Sequence, residues 1–155
     1  NQFANNDNWK AHYKTTGPEI WRDTKGAVTH FVSAMGTTGT IMGTSTFLKE
    51  QNSDIQIVGA QPSEGSKIPG IRKWPKEFLP KIFNPKKVDQ ILEVSEAEAR
   101  AMTKRLALEE GVFAGMSSGG SVATAVKVAN SLDSGVVVAI VCDRGDRYLS
   151  SDLFE

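Results

Sequence analysis

The sequence predicts an α/β fold, a three-layer arrangement in which a parallel sheet is flanked by helices, and two observations carry that expectation. Apolar, β-branched runs at 29–34, 55–60, 88–94 and 136–142 alternate with helical stretches. Two Gly/Ser/Thr turns, at Gly36, Thr37, Thr38, Gly39, Thr40 and at Ser117, Ser118, Gly119, Gly120, each lead into a helix.

Taken in order, residues 5–13 predict a short helix. Thr16-Gly17-Pro18-Glu19 reads as a capping box with proline in the first turn of a second helix ending near residue 24. Strand 29–34 then feeds the first glycine turn, and helix 40–51 carries Ile41, Phe47 and Leu48 toward a core. Strand 55–60 completes a βαβ unit, which implies parallel pairing. Residues 61–87 form a long irregular excursion holding five of the six prolines. Its Ile68, Ile71, Trp74, Phe78, Leu79 and Phe83 make it too apolar for disorder. Strand 88–94 follows, and Ser95-Glu96-Ala97-Glu98 caps a helix running to about residue 110. The second glycine/serine turn opens helix 121–130, and strand 136–142 closes the pattern.

The first turn is suited to an anion. Gly36 and Gly39 let the backbone approach closely, successive N–H groups point inward, and the positive end of the helix dipole adds attraction. GTTGT matches neither a Walker loop nor a dinucleotide fingerprint and has no lysine. A small monophosphate is the guest this implies; an ordinary strand-to-helix turn is the other reading. Ser117 and Ser118 serve either a ligand shared with the first turn or simple N-capping.

The 155 residues suffice for one domain with a real core, 39% of them hydrophobic. Lys+Arg and Asp+Glu are both 18, a balance that argues against nucleic acid or a membrane surface as partner. No membrane span and no signal pattern are visible, so a cytoplasmic setting is expected. Cys142 cannot form an internal disulfide and reads as a small strand-end residue, with a reactive thiol the lesser alternative. His12 and His30 lack metal-type spacing and read as structural; no metal site is expected. The chain begins at Asn1 within a polar run, as if drawn from a longer polypeptide.

Five stretches carry a family resemblance: 15–21 (TTGPEIW), 33–40 (SAMGTTGT), 68–74 (IPGIRKW), 115–120 (GMSSGG) and 142–150 (CDRGDRYLS). Together they resemble the cysteine synthase family of fold-type II pyridoxal 5′-phosphate enzymes, over essentially the whole chain. The 68–74 stretch is similar to the family's B form rather than its A form. The resemblance implies the larger, cofactor-phosphate-binding domain, incomplete at its N-terminus and like the C-terminal half of the two-domain enzyme. It also implies synthesis of cysteine from O-acetylserine and sulfide, or thiosulfate, by a homodimer.

By the same resemblance, Gly36, Thr37, Thr38, Gly39 and Thr40 cradle the cofactor phosphate, and Ser117, with Ser118 second, meets the pyridine nitrogen. Gln2 reaches the substrate carboxylate, while Gly70, Arg72 and Lys73 border the site. The family's Schiff-base lysine and its substrate loop lie upstream of the segment resembling Asn1, so no catalytic residue is assigned here and the chain alone is expected to be inactive. A sibling such as serine dehydratase or cystathionine synthase, and a non-catalytic phosphate- or nucleotide-binding module, are the alternatives.

Overall fold

The computed structural model describes residues 1–154. Its four strands, β1 (His30–Ala34), β2 (Gln56–Pro62), β3 (Gln90–Val94) and β4 (Val137–Ala139), form one sheet in the order β3-β2-β1-β4. All three pairings are parallel, with Val32 opposite both Val58 and Ala139. The helices are α1 (Asn6–Lys14), α2 (Thr16–Asp23), α3 (Gly39–Gln51), α4 (Glu96–Glu110) and α5 (Met116–Ala129).

Alternation along the strands places the helices on opposite faces. Phe31 and Ile57 point to one side and pack with Ile41 and Leu48 of α3. Their neighbours Val32 and Val58 point to the other and pack with Ala125 and Val128 of α5. α1 and α2 lie against α3, and α4 lies against α5, giving the expected three layers. The α4 start is the expected capping box, with Ser95 Oγ accepting from the Glu98 amide and the Glu98 carboxylate accepting from the Ser95 amide.

Four details differ from the sequence reading. Thr16 does not cap α2. A single residue, Thr15, separates α1 from α2, and the Thr16 hydroxyl is used on the His12 ring, with Nδ1 2.9 Å away. The second glycine/serine stretch is no turn but the first part of α5, which starts at Met116. The small residues there serve close packing: a Cβ on Gly119 would lie 2.2 Å from the Ala99 carbonyl and 2.1 Å from Thr103 Oγ1 of α4.

The last strand stops at Ala139, because the chain leaves the sheet there to cross the start of α5. In the excursion, β2 runs on to Pro62, and Ile68 and Ile71 are buried as expected, but Phe78 is 70% exposed.

Candidate functional site

β1 ends beside the excursion, which holds the following turn from outside. The Arg72 amide donates to the Met35 carbonyl at 2.8 Å, and Trp74 Nε1 donates to the Gly36 carbonyl at 2.7 Å. Thr38 then adopts a left-handed conformation, φ +71°, unusual for a β-branched residue. That conformation turns the chain into α3, whose first residue is Gly39 and whose N-terminus has no side-chain cap. Among the described residues, the amides of Thr37, Thr38 and Thr40 have no protein acceptor, and the Gly39 amide has only a long contact to Thr37 Oγ1 at 3.4 Å. Thr38 Oγ1 is buried with no hydrogen-bond partner. A helix start with open amides and an orphaned hydroxyl has the donors an oxyanion needs.

Two side chains of α1 support this turn. Asn8 Nδ2 donates to Thr37 Oγ1 at 3.0 Å and to the Gln2 carbonyl at 2.6 Å. The His12 ring joins Thr16 to Thr40, with Nε2 3.3 Å from Thr40 Oγ1, and burial holds its pKa below the ordinary value. His12 thus ties α1 to the start of α2 and to the cleft-lining Thr40.

The start of α5 is arranged the opposite way, around Asp143. That carboxylate accepts from the amides of Ser117 and Ser118 at 3.2 and 3.0 Å, from Ser118 Oγ at 2.6 Å and from the Tyr148 hydroxyl at 2.7 Å. Burial alone would raise the Asp143 pKa. The bonds from Ser118, Tyr148 and Ser117 outweigh it and hold the carboxyl below the usual range. Burial and the bond to Asp143 push the Tyr148 phenol well up. Ser118 Oγ also accepts from the amides of Cys142 and Asp143, so its hydroxyl is fully engaged. Among the described residues, the hydrogen bond formed by Ser117 Oγ is from the thiol of Cys142, which donates to it at 3.2 Å.

The two helix starts face one cleft of about 280 Å³. Gly36, Thr37, Thr38, Thr40, Gly70 and Ser117 line it, together with Cys142, Asp143 and Tyr148. The structure thus brings most of the expected residues together. Gly39 stands behind the turn, facing Asn8. Gln2 is exposed and meets the turn only through Asn8. Arg72 and Lys73 line a neighbouring hollow of about 930 Å³ formed by residues 62–73, and Lys73 is ion-paired with Glu93. Ser118 is taken up by Asp143, which leaves Ser117 as the serine facing the cleft. Asn8, Trp74, Asp143 and Tyr148 had no assigned role in the sequence, although the last three lie in quoted motifs.

A family model described as pyridoxal-phosphate dependent enzyme matches residues 1–143. The chain belongs to this pyridoxal-phosphate dependent family. Within it, the chain is 59% identical over 154 residues to cysteine synthase B of Pseudomonas aeruginosa and 58% identical over 153 residues to that of Escherichia coli. Each alignment covers 99% of this chain, and 52% and 50% of those relatives. The chain therefore spans about half the length of the curated relatives it matches. A crystal structure of cysteine synthase from Entamoeba histolytica superposes with a TM-score of 0.92 at 36% identity, covering 99% of this chain and 48% of that one. A crystal structure of O-ureido-L-serine synthase superposes with a TM-score of 0.90 at 36% identity, covering 99% and 51%. These findings bear out the α/β fold and the pyridoxal-phosphate cofactor expected from the resemblance.

Proposed function

We propose that this chain supplies the phosphate-holding part of an enzyme that makes L-cysteine from O-acetylserine and sulfide by β-replacement. The observation that carries the reading is the uncapped start of α3, with its open amides and the unpartnered Thr38 hydroxyl, facing Ser117 across one cleft. Pyridoxal phosphate, when bound, supplies the electron sink that lets acetate leave from the β-carbon and a sulfur nucleophile replace it.

The chain's own residues position that chemistry. The amides of Thr37, Thr38 and Thr40 and the hydroxyl of Thr38 hold the phosphate at the positive end of α3. Ser117 presents a neutral donor for the ring nitrogen, which does not force the ring to stay protonated as a carboxylate would. That suits prompt expulsion of a β-leaving group. Gln2, tethered to the turn through Asn8, approaches the substrate carboxylate. The reactive lysine belongs to the part of the relatives' length that this chain does not span. The relatives reported above favour cysteine synthesis over the dehydratase and cystathionine synthase alternatives, and the open amides favour a monophosphate over a nucleotide.

Arg72, which has no ion pair among the described residues, is the group through which thiosulfate would be accepted beside sulfide. A homodimer is part of the same proposal. The test is a visible-absorbance titration with pyridoxal phosphate, together with assays of cysteine formation from O-acetylserine. In the full-length enzyme, binding of cofactor, turnover with sulfide, and selective loss of thiosulfate use in Arg72→Ala are expected. The 155-residue chain by itself should make no cysteine; turnover by it would place the reactive lysine within this sequence.

A further inference from the structure

Cys142 has no role in the reading above, yet its thiol touches the Ser117 hydroxyl, which faces the cofactor cleft. The Ser117 hydroxyl has one proton and two lone pairs, and the thiol proton occupies one of those lone pairs at 3.2 Å. No second hydrogen bond of that hydroxyl is formed among the described residues, the Asp143 carboxylate that the Ser117 side chain helps hold below its usual range being the competing acceptor, so the serine proton is available to a ligand in the cleft. The reverse arrangement, Ser117 donating to sulfur, is the poorer bond because a thiol sulfur is a weak acceptor. Burial pushes the Cys142 thiol above its ordinary range and the charge of Asp143 adds to this, so the S–H is intact at neutral pH. A second feature of the same cleft calls for a ligand independently: Thr38, 3% exposed, has a hydroxyl with no partner.

We infer that Cys142 is a positioning residue for the cofactor ring, its S–H holding the Ser117 oxygen so that the serine proton points into the cleft toward the ring nitrogen. The inference rests on the reading of this cleft as the pyridoxal-phosphate site. Its content is a direction: the thiol donates, the serine relays, and the ring accepts. A serine at 142 could make the same donation, and an alanine could not.

The test uses the cofactor-loaded protein and reads its visible absorption, its cofactor emission and the cofactor Kd. Cys142→Ala should shift the spectrum and raise Kd by at least about threefold, and Cys142→Ser should restore both. An alanine variant that matches the parent in spectrum and Kd overturns the inference, as does a serine variant as defective as alanine. Ser117→Ala is the control for the underlying reading. If it leaves spectrum and Kd unchanged, or if the parent protein takes up no cofactor, the cleft assignment itself fails and the inference falls with it.

Should Cys142→Ala not fold, methyl methanethiosulfonate removes the S–H from the folded protein instead. The thiolate attacks the sulfenyl sulfur, a mixed methyl disulfide forms, and methanesulfinate leaves. Cys142 is the sole cysteine, and the residue is open to solvent although its thiol is partly desolvated, so the labelling is unambiguous. A modified protein with unaltered spectrum and Kd overturns the inference.

Discussion

Two helices begin at the same cleft and treat their first amides in opposite ways. At α5 the protein supplies its own anion, Asp143, and the amides of Ser117 and Ser118 are satisfied internally. At α3 no side chain caps the start, and the neighbouring hydroxyl of Thr38 lacks a partner. An unsatisfied buried hydroxyl and open helix amides are costly in a folded protein. The contrast therefore separates a start that holds the structure from one left open to a ligand. The α4 start, closed by Ser95 and Glu98 and remote from the cleft, is a second example of the internal solution.

The sharpest way to break the comparison is to fill the space behind the open start. A Cβ on Gly39 would lie 1.9 Å from Asn8 Oδ1. Asn8 would have to swing away and release both Thr37 and the Gln2 carbonyl. Gly39→Val should therefore weaken pyridoxal-phosphate binding by at least about tenfold, or about 1.4 kcal/mol, read by absorbance titration. An unchanged Kd would mean that the phosphate sits elsewhere.

The open start was legible in the sequence because its cause is local: a β-branched run, two glycines and three threonines within a few residues. The closed start was not. Asp143 lies 25 residues from Ser118, and it reaches the helix only because the last strand ends at Ala139 and the chain crosses over. Gly119 and Gly120 looked like a turn for the same reason. Composition records small residues, but not that α4 presses against them. Thr16 carried a plausible capping signature, and what defeated it was the His12 ring one helix earlier. Arg72 and Lys73 were visible as charges, whereas the pairing of Lys73 with Glu93 depends on which strand lies beside the excursion.

If Asp143 stands in for a ligand at α5, removing it should convert a closed start into an open one. Asp143→Ala leaves two helix amides and the Tyr148 hydroxyl without their acceptor, and Ser118 Oγ with only the backbone carbonyl of residue 143 at 3.3 Å. Urea unfolding should show a loss of about 1–3 kcal/mol. Added sulfate should restore part of that loss in the variant and do less for the parent at α5. A variant whose stability ignores sulfate would show that the carboxylate acts by packing and not as an internal anion.

The smallest effect belongs to α4. Glu98 accepts from the Ser95 amide and hydroxyl and pairs with Lys127 Nζ at 2.7 Å. The bond from Lys127, then those from Ser95, lower its pKa from 4.5 to about 2. A carboxyl whose folded pKa lies below its unfolded value stabilises the fold above the unfolded pKa. That contribution declines as pH falls from 4.5 toward 2, because the unfolded chain takes up the proton first. The pair is nearly half exposed, so solvent screening keeps the contribution under about 1 kcal/mol. Glu98→Gln should therefore be slightly less stable than the parent at pH 7, with the gap closing as the pH approaches 2. The Asp143 carboxyl is likewise held below its ordinary range, so the quantity to follow is the difference between the two urea curves and not either curve alone. A gap that stays constant with pH would make the Glu98 contribution one of packing, and a sulfate-dependent gap would mean that the α4 start is not closed after all.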